Sequence, residues 1–327
     1  MQEPARVPLR KRFLNLGTLF SIALGLAILV FLLRFRHVDL SAIWARMQGM
    51  NLFLFLLAFI VYYASFPLRA WRWKLLLVNA GFEASSLPTT RRLTSILLIN
   101  FFANCILPVR LGDVYRPYLL KQDTGASYPK ALGTVLAERV LDLVTVLLLL
   151  IISGVGLWRQ AFFLPRLAIG LGVVALGVLL LGAMGRFGVS FSRLLPTRLR
   201  SLYIPFQEGT LGSFRQLLPV GLQGLGIWVL ETGRLYLVAQ ALGIHPSLFL
   251  LLFAAQAIAL IVAIPSTPAG LGLVEGGVAG VLMTALPSEE AWSVALVDRT
   301  ISFLSLIAVG LVFLALRQMS RGGSRSG

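Results

Sequence analysis

Residues 104–116 read NCILPVRLGDVYR, a stretch that proline and glycine interrupt and that carries two arginines and one aspartate within an otherwise apolar part of the chain. Residues 267–275 read TPAGLGLVE and follow the same plan. The two stretches match at an offset of 160 positions, the difference between 268 and 108. The matched residues are Pro108 with Pro268, Leu111 with Leu271, Gly112 with Gly272 and Val114 with Val274. Proline and glycine at shared positions predict two equivalent breaks in the chain.

An acidic residue followed by arginine repeats at the same offset. Glu138 and Arg139 lie in one long apolar segment, and Asp298 and Arg299 lie 160 positions later in another. Chance could supply one such match, but two matches at a single offset are harder to explain in that way. We therefore interpret the chain as a duplicated membrane unit.

The composition is that of an integral membrane protein. Of 327 residues, 57% are hydrophobic and 13% are charged, and the mean hydropathy is +0.86, which leaves too little polar surface for a soluble globule of this size. The net charge of +16 does not predict a nucleic-acid partner, because the basic residues lie in short runs between apolar segments. In such positions they orient helices and meet anionic lipids at the cytoplasmic face. The single cysteine, Cys105, allows no internal disulfide and suits a packed core.

Six apolar segments are predicted to cross the membrane. They are approximately residues 13–33, 50–68, 131–157, 167–184, 217–242 and 291–316. The first follows Arg10, Lys11 and Arg12 and is longer than the apolar core of about 7 to 15 residues in a cleavable signal peptide, so we expect a retained span. Basic residues at both ends of the chain, including Arg317 and Arg321, predict a cytoplasmic N-terminus and C-terminus.

Two further apolar segments are predicted to enter and leave on the same face. Residues 93–120 follow a strongly basic flank that includes Arg69, Arg72 and Lys74, which we expect at a cytoplasmic head-group boundary. Two predicted spans separate residues 93–120 from the basic stretch 186–215, so both of their ends are cytoplasmic. Residues 247–286 begin and end outside by the same reasoning. The predicted fold is all-α, with about six transmembrane helices and two oppositely oriented re-entrant hairpins in an inverted repeat, a plan that recurs in secondary transporters.

The whole chain, 1–327, is predicted to form a single polytopic membrane domain. The first repeat covers about 50–157 and the second about 217–316. Between them lies a linker with an amphipathic stretch, 186–216, which we expect at the cytoplasmic surface.

The breaks themselves are candidate binding elements. Non-helical backbone at membrane depth is tolerated only where it is buried in protein or lines a wet cavity. A helix that begins there directs free N–H groups at the cavity, and Arg110 and Arg116 add donors that suit a phosphate. The residues predicted to form the breaks are Pro108, Gly112, Pro265, Pro268, Gly270 and Gly272.

Charged and polar residues within the predicted membrane segments form the candidate substrate-binding set. The members are Asn104, Arg110, Asp113, Arg116, Glu138, Arg139, Asp142, Glu231, Arg234, Glu275, Asp298 and Arg299. Such residues are costly in a bilayer and face a partner or water. They either tie the hairpins to the spans as ion pairs or line a polar cavity; for any single pair both interpretations are open, and for the set we favour the cavity. Glu138, Glu275 and Asp298 are the candidates for proton exchange.

These motifs resemble the transmembrane flippase-like domain of the lysylphosphatidylglycerol synthase family. The residues that carry the resemblance are Asn104, Pro108, Arg110, Gly112, Asp113, Arg116, Glu138, Arg139, Asp142, Pro265, Pro268, Gly270, Gly272 and Glu275. The resemblance spans most of the chain, with two mild departures: Asp113 replaces a common Glu, and Ala269 replaces the first Gly of a common pair. It implies a protein that moves a lipid with a phosphate-containing head group between leaflets. Because the chain stops at Gly327, we expect no aminoacyl-transferase domain and no lysyl transfer.

The sequence therefore predicts a lipid translocase of the cell membrane that needs no cofactor and no metal. A membrane-embedded lipid-modifying transferase is one alternative, although the only histidines, His37 and His245, lie near predicted interfaces and no metal-binding motif is present. A scaffold or regulator that transports nothing is the other alternative, since small-residue helix surfaces also bind partners. The identity of the lipid, the direction of transport, the coupling ion and the oligomeric state are left open.

Overall fold

The computed structural model describes residues 16–36, 38–156, 163–263 and 267–323, and every regular element in these ranges is helical. The helices are α1 (Leu16–Phe35), α2 (Leu40–Gln48), α3 (Leu52–Asn79), α4 (Thr90–Ile106), α5 (Leu111–Thr124), α6 (Tyr128–Gly156), α7 (Phe163–Leu194), α8 (Thr197–Gly212), α9 (Leu217–Ala241), α10 (Leu248–Ala263), α11 (Leu273–Leu282), α12 (Ser288–Arg299) and α13 (Leu306–Gly323). Short 3₁₀ segments cover Pro108–Arg110, Ser213–Gln216 and Pro268–Gly270, and a π-helical segment, Thr300–Ser305, joins α12 to α13.

Within the described ranges, four helical stretches are long and apolar enough to cross a membrane. They are Thr18–Phe35, Leu52–Asn79, Ala175–Leu194 and Ser288–Met319. Helices α6 and α9 have 29 and 25 residues, a length of roughly 37–44 Å at 1.5 Å per residue, and they carry charged residues in their interiors. The chain is thus an all-α, multi-pass membrane protein, which confirms the class predicted from composition.

The two halves of the chain contain the same succession of elements. In the first half, α3 precedes two shorter helices, α4 and α5, and α6 follows; in the second half, α9 precedes α10 and α11, and α12 continues into α13. The 3₁₀ segment Pro108–Arg110, here called the first break, separates α4 from α5. The segment Pro268–Gly270, here called the second break, lies between α10 and α11. Each pair of shorter helices packs against itself, and the two breaks contact each other.

Left-handed backbone occurs at matched positions in the two breaks. Val109 and Arg110 have φ of 58° and 52°, and Ala269 and Gly270, 160 positions later, have φ of 46° and 71°. Val109, Arg110 and Ala269 are the non-glycine residues with positive φ in the described part of the chain. L-residues rarely adopt this conformation. Backbone strain therefore concentrates at the two places where the sequence repeat predicts a break.

Gly112 allows α5 to lie close to α4. A Cβ atom at this position would stand 2.1 Å from the carbonyl oxygen of Asn100 and 2.5 Å from Oδ1 of Asn104. Neither oxygen belongs to α5 itself, so any larger residue would separate the two helices. The first pair of shorter helices is held together by this contact just beyond the break.

The buried core joins the two halves. Trp73 on α3 and Trp292 on α12 belong to one cluster of buried residues, to which α4, α9, α10 and α11 also contribute. Within a membrane, such contacts stabilise the fold through close packing rather than through removal of apolar surface from water. The breaks are therefore positioned by a single packed body.

The predicted linker differs from the structure at its start. Residues 186–194, which we expected to lie outside the fourth span, continue α7 to Leu194, because no helix-breaking residue occurs before Pro196. Helix α8 then packs on α6 and α7. The amphipathic stretch is thus divided between the end of a long helix and a shorter helix that rests on its neighbours.

Candidate functional site

The charged residues of the membrane segments gather in two groups. The first cluster consists of Arg72, Arg110, Arg116, Arg139, Asp113, Glu138 and Asp142, with Asn100 and Asn104 beside it. The second cluster consists of Arg69, Arg234, Arg299, Glu231, Glu275 and Asp298. The first cluster holds four arginines and three carboxylates, an excess of one positive charge, whereas the second holds three of each.

Glu138 on α6 pairs with more arginines than any other carboxylate of the first cluster. Its oxygens accept hydrogen bonds from Arg116 of α5 at 2.9 Å, from Arg139 at 2.9 Å and from Arg72 of α3 at 3.2 Å. Asp142, one turn further along α6, pairs with Arg72 at 2.8 Å and with Arg139 at 3.4 Å. These ion pairs tie α3 and α5 to the middle of α6.

Asp113, in the first turn of α5, organises the first break. The side-chain amides of Asn100 and Asn104 donate to its Oδ1 at 3.1 and 3.0 Å. Arg110 donates from Nε to Oδ2 at 3.1 Å, and Nε of Arg139 lies 3.8 Å from the same oxygen. The carboxylate therefore binds groups from α4, from the break and from α6 together.

Arg110 also connects the two halves of the chain. Its Nη1 donates to the carbonyl oxygen of Val262, near the end of α10, at 3.2 Å. Arg110, whose backbone is left-handed, thus forms hydrogen bonds with residues of both halves of the chain. One guanidinium joins the first break to the helix that precedes the second.

The second cluster links α3, α9 and α12. Glu231 accepts from Arg69 at 2.5 Å and from Arg234 at 3.0 Å. Arg234 also donates to Asp298, and its guanidinium lies over the ring of Tyr62, 5.2 Å from the centroid. All four charged side chains are buried or nearly so. The cluster is an interior network between the first long helices of the two halves.

Glu275 and Arg299 hold the second break. Arg299 donates from Nε to Glu275 at 2.7 Å and from Nη2 to the carbonyl oxygen of Ala269 at 3.0 Å. The other carboxylate oxygen of Glu275 accepts the backbone N–H of Gly272 at 2.7 Å. The pair thus satisfies backbone groups that the break leaves without helical partners.

Arginines at matched positions have matching contacts in the two halves. Arg139 and Arg299 are 160 positions apart. Arg139 lies beside Asp113 and Arg299 beside Glu275, and each of these acids lies in the first turn of the helix after a break. The repeated arginine therefore links the last long helix of each half to the broken pair.

The acids that precede these arginines also match. Glu138 binds Arg72, which lies on α3, and Asp298 binds Arg234, which lies on α9. Helices α3 and α9 are the first long helices of the two halves. In each half, the acid of the acid–arginine pair thus binds an arginine of the first long helix, and the arginine lies beside an acid in the first turn after the break. The two halves therefore repeat the same arrangement of ion pairs.

The two clusters differ in exposure. The side chains of Arg139 and Arg110 in the first cluster are 29% and 23% exposed. Those of Arg299 and Arg234 in the second are 9% and 3% exposed. Arg110 and Arg139 are therefore the most exposed arginines of the two clusters, whereas Arg72 and Arg116 of the first cluster are as deeply buried as Arg234 of the second.

Helix α1 explains part of this difference. Gly25 lies so close to the second break that a Cβ atom there would stand 3.0 Å from Cβ of Leu271, and a Cβ atom at Gly272 would stand 2.5 Å from the Gly25 carbonyl oxygen. At the first break, Val109 and Leu111 are exposed. The second break is therefore covered by α1, while apolar side chains of the first break face the surroundings.

The family of the chain follows from its sequence. Residues 18–310 match the family described as lysylphosphatidylglycerol synthase TM region. The chain belongs to this family. The resemblance drawn from the break and charge motifs is confirmed.

Relatives in archaea match along much of their length. The chain is 31% identical to a UPF0104 membrane protein of Methanocaldococcus jannaschii over 64% of the chain and 92% of the relative. It is 24% identical to a UPF0104 membrane protein of Methanothermobacter thermautotrophicus over 91% of the chain and 93% of the relative. It is also similar to glycosyltransferase AglD of Haloferax volcanii, with 26% identity over 76% of the chain, which covers 46% of that protein.

In this lysylphosphatidylglycerol synthase TM region, all twelve predicted site residues fall into the two clusters or beside them. Seven of them, from Asn104 to Asp142, belong to the first cluster or its asparagines, and five, from Glu231 to Arg299, belong to the second. The ion pairs that tie broken helices to long helices are present. Binding of substrate by these residues stays a prediction.

The predicted break residues lie where the chain turns. Pro108 and Pro268 begin the 3₁₀ segments, and Gly270 and Gly272 have φ of 71° and 84°. Pro265 lies outside the described residues. Glycine at 272 is required because positive φ and the contact with α1 coincide there.

Two arginines of the clusters were missed from the sequence. Arg69 and Arg72 were expected at a head-group boundary, just beyond a span that ended at 68, but α3 continues to Asn79. Arg72 is buried, and its neighbour Trp73 is buried too and donates to Thr134 at 3.1 Å. Arg69 and Arg72 are three residues apart, which places both on one face of a helix. This spacing is the feature of the sequence that could have indicated a shared buried environment.

Buried polar atoms near the first break have unused hydrogen-bonding capacity. Within the described residues, Oδ1 of Asn100 and of Asn104 and Nε of Arg116 and of Arg72 have no hydrogen-bond partner. The same holds for both amide atoms of Gln256 on α10. Buried polar groups are normally satisfied. The first cluster therefore contains buried donors and acceptors that its ion pairs do not use.

Proposed function

We propose that the protein moves an amphiphile with a phosphate-containing head group between the leaflets of the cell membrane. The proposal includes the finer topology: about six spans, two oppositely oriented re-entrant hairpins that end at the two breaks, an inverted repeat, and cytoplasmic termini. The matched left-handed residues at the breaks and the two copies of one ion-pair plan support this arrangement.

The partly exposed side chains of Arg110 and Arg139 carry the proposal. Arg110 and Arg139 are partly exposed, and their cluster has one positive charge more than its carboxylates neutralise. Guanidinium groups bind phosphate oxygens through paired, charge-assisted hydrogen bonds. Unpaired Oδ1 atoms of Asn100 and Asn104 lie nearby as acceptors for head-group hydroxyl or amine groups. A phosphate at this place would meet donors and acceptors together.

Apolar side chains beside the cluster suit the rest of the molecule. Val109, Leu111 and Val114 at the first break are exposed and adjoin Arg110 and Asp113 in sequence. In a bilayer such side chains contact acyl chains. The head group could therefore enter the polar cluster while its tails stay in the lipid.

Translocation would follow from motion of one half against the other. Arg110 and Arg139 of the first cluster are partly exposed, whereas α1 packs on Leu271 and Gly272 beside the second break, so the described conformation exposes the first break more than the second. Rocking of the halves would close the first break and open the second, as alternating access requires in inverted-repeat transporters. The pair Arg69–Glu231, which joins α3 to α9 at 2.5 Å, and the bond from Arg110 to Val262 are among the contacts between halves that this motion must strain or exchange.

The candidate proton carriers are better suited to structural roles. Glu138 contacts three arginines, and Glu275 and Asp298 contact one each. Loss of the carboxylate charge would leave buried guanidinium groups without counter-ions, which is costly. We propose that these acids tie the helices together.

A second candidate function is lipid modification. One relative is named a glycosyltransferase, and the chain covers 46% of it. A transferase reaction would alter the head group, whereas translocation leaves it unchanged. The two functions are therefore separated by the mass of the recovered lipid.

The test is a leaflet-exchange assay in liposomes that contain the purified protein and fluorescent lipids of several head groups, including a phosphate-free ceramide. We expect exchange of one or more phosphate-bearing lipids at unchanged mass, no acceleration for ceramide, and at least about a tenfold loss in Arg110→Ala, which removes the exposed guanidinium. Arg198→Ala, an exposed arginine of α8 outside both clusters, is the matched control. Equal exchange of ceramide, or full activity of a folded Arg110→Ala protein, would contradict the proposal, and a changed mass would favour the transferase.

A further inference from the structure

A basic concavity lies away from both clusters. It is a half-open cavity of about 540 Å³ lined by the residues that follow α3, the start of α6, the end of α7, helix α8 and the 3₁₀ segment after it. Its polar lining includes Lys130, Arg200, Arg215 and Glu208. After α3, the cavity begins at Ala80, eight residues beyond Arg72 of the first cluster, a distance of about 12 Å along a helix. The cavity shares no residue with the clusters.

The charges of this cavity are not neutralised. Lys130 lies 3.9 Å from Glu208, the one acid in the lining. Arg200 and Arg215 are exposed, and neither forms a side-chain hydrogen bond or an ion pair with any described residue. Three basic residues and one acid leave an excess of two positive charges around the cavity.

The rest of the lining is apolar. Val189 of α7 and Ile204 and Leu211 of α8 contribute hydrocarbon surface beside the basic residues. A small inorganic anion needs no such surface. An anionic group that is joined to an apolar portion uses both parts of the wall.

Close backbone packing fixes the walls. A Cβ atom at Gly209 of α8 would stand 2.0 Å from the Lys130 carbonyl oxygen, and one at Gly133 of α6 would stand 2.2 Å from the Phe206 carbonyl oxygen. The side-chain amide of Gln207 donates to the Met184 carbonyl oxygen of α7 at 2.9 Å. Helix α8 is thus locked against α6 and α7, so the cavity is formed before any ligand arrives.

We propose that this cavity is a binding site for a phosphate-bearing amphiphile, distinct from the translocation site. Arg200 and Arg215 bind the phosphate, Lys130 assists, and the apolar wall holds the adjoining hydrocarbon. Glu208 opposes the anion and draws Lys130 away from it. The same phosphate chemistry could come from a lipid head group or from a soluble phosphate compound, and the test separates these sources.

Binding is measured on the purified full-length protein in neutral detergent by isothermal titration calorimetry, without any transport step. The probes are dihexanoyl phosphatidic acid, inorganic phosphate and dihexanoylglycerol, which has the tails and lacks the phosphate. We expect dihexanoyl phosphatidic acid to bind, and the double variant Arg200→Ala/Arg215→Ala to weaken this binding at least about tenfold because it removes two charged donors. Arg198 lies on α8, as Arg200 does, but outside the lining of the cavity, so Arg198→Ala should bind dihexanoyl phosphatidic acid as tightly as the unmodified protein.

Glu208→Gln keeps the proposal testable if the double variant does not fold. Removal of the carboxylate frees Lys130 and should strengthen binding of dihexanoyl phosphatidic acid about threefold. Tighter binding of the lipid than of inorganic phosphate supports a lipid source, and equal affinities support a soluble phosphate compound. Binding of dihexanoylglycerol equal to that of the phosphatidic acid, or an affinity that none of these variants changes, would overturn the assignment.

Discussion

The first and second breaks share a backbone conformation but not an environment. Left-handed residues occur at equivalent positions in both. An arginine that contacts an acid belongs to the first break, as Arg110, and another binds the second break from α12, as Arg299. Pro268 and Gly270 are buried under α1, whereas Val109 is 60% exposed. The comparison teaches that ion pairs repeated in both halves do not determine where a ligand can reach. Helix α1 contacts both breaks, but it packs closely on Leu271 and Gly272 beside the second.

The largest loss of stability is expected from Arg299→Ala. The variant leaves the Glu275 carboxylate and the Ala269 carbonyl oxygen without their guanidinium partner in a sealed site, and removal of one partner of a buried ion pair costs about 3–5 kcal/mol. We expect loss of monodisperse protein in size-exclusion chromatography or a strongly lowered Tm in detergent. Arg110→Ala, which also removes bonds to one acid and one carbonyl oxygen but at an exposed site, should lose less. Equal losses would remove the distinction between the breaks.

A smaller loss of stability is expected from a substitution that displaces α1 from the second break. In Gly25→Val, the added side chain would collide with Leu271, whose Cβ would lie 3.0 Å from the new Cβ, and overpacking of this kind costs about 1–3 kcal/mol. The Tm should fall by correspondingly less than in Arg299→Ala. Gly177→Val on α7 is the control, because a Cβ there meets nothing within 4 Å. An unchanged Tm for Gly25→Val would show that α1 does not seal this break.

The difference in exposure can be measured directly with single cysteines. In a Cys105→Ala background, Val109→Cys should react with a small membrane-permeant maleimide about tenfold faster than Leu271→Cys, because local opening must precede reaction at the covered position. The readout is the mass shift of the intact protein over time. Similar rates at the two positions would contradict the comparison. Faster labelling of Leu271→Cys when Gly25→Val is added would identify α1 as the cover.

The smallest effect is expected at the opposite end of the first helix pair. Asp123, at the end of α5, accepts from Arg92 at 3.0 Å and from Arg317 at 2.6 Å. Burial alone would raise the pKa of the Asp123 carboxyl, but the two arginines outweigh it and hold the pKa below its ordinary value. The carboxylate thus stabilises the fold above the ordinary pKa of about 3.9, and this contribution is lost as the pH falls through the lowered pKa.

We therefore expect Asp123→Asn, which keeps a neutral acceptor but loses the charge, to lower stability at pH 7 by about 1 kcal/mol, because Arg317 is buried whereas Arg92 is partly exposed. The difference from the unmodified protein should shrink as the pH is lowered below about 4. Thermal unfolding in detergent at several pH values measures both. A penalty that stays constant down to pH 3 would show that charge at Asp123 does not anchor the pair.

The sequence repeat predicted where the breaks lie, because proline and glycine limit backbone conformation wherever they occur. Left-handed backbone at Val109 and at Ala269 confirms that both stretches interrupt the helices. The clustering of acids and arginines was also predictable, since charges in apolar segments require partners.

Other features depend on packing that no local pattern encodes. Arg72 was assigned to an interface because the apolar run stops before it, yet its partners Glu138 and Asp142 lie on α6, 66 and 70 positions away. The unequal exposure of the breaks depends on Gly25, a glycine that is indistinguishable in sequence from others in α1 and α7. Because the two halves carry equivalent charged residues, the sequence does not indicate which of the two breaks is exposed.

The central claim, that the exposed first break is the route of the lipid head group, is tested most directly by blocking it. Leaflet exchange of a phosphate-bearing lipid is measured for Val109→Cys in the Cys105→Ala background before and after reaction with a bulky maleimide, with Leu271→Cys as the matched control. We predict that modification abolishes exchange in Val109→Cys and leaves it unchanged in Leu271→Cys. Unchanged exchange in a fully modified Val109→Cys protein would contradict the account.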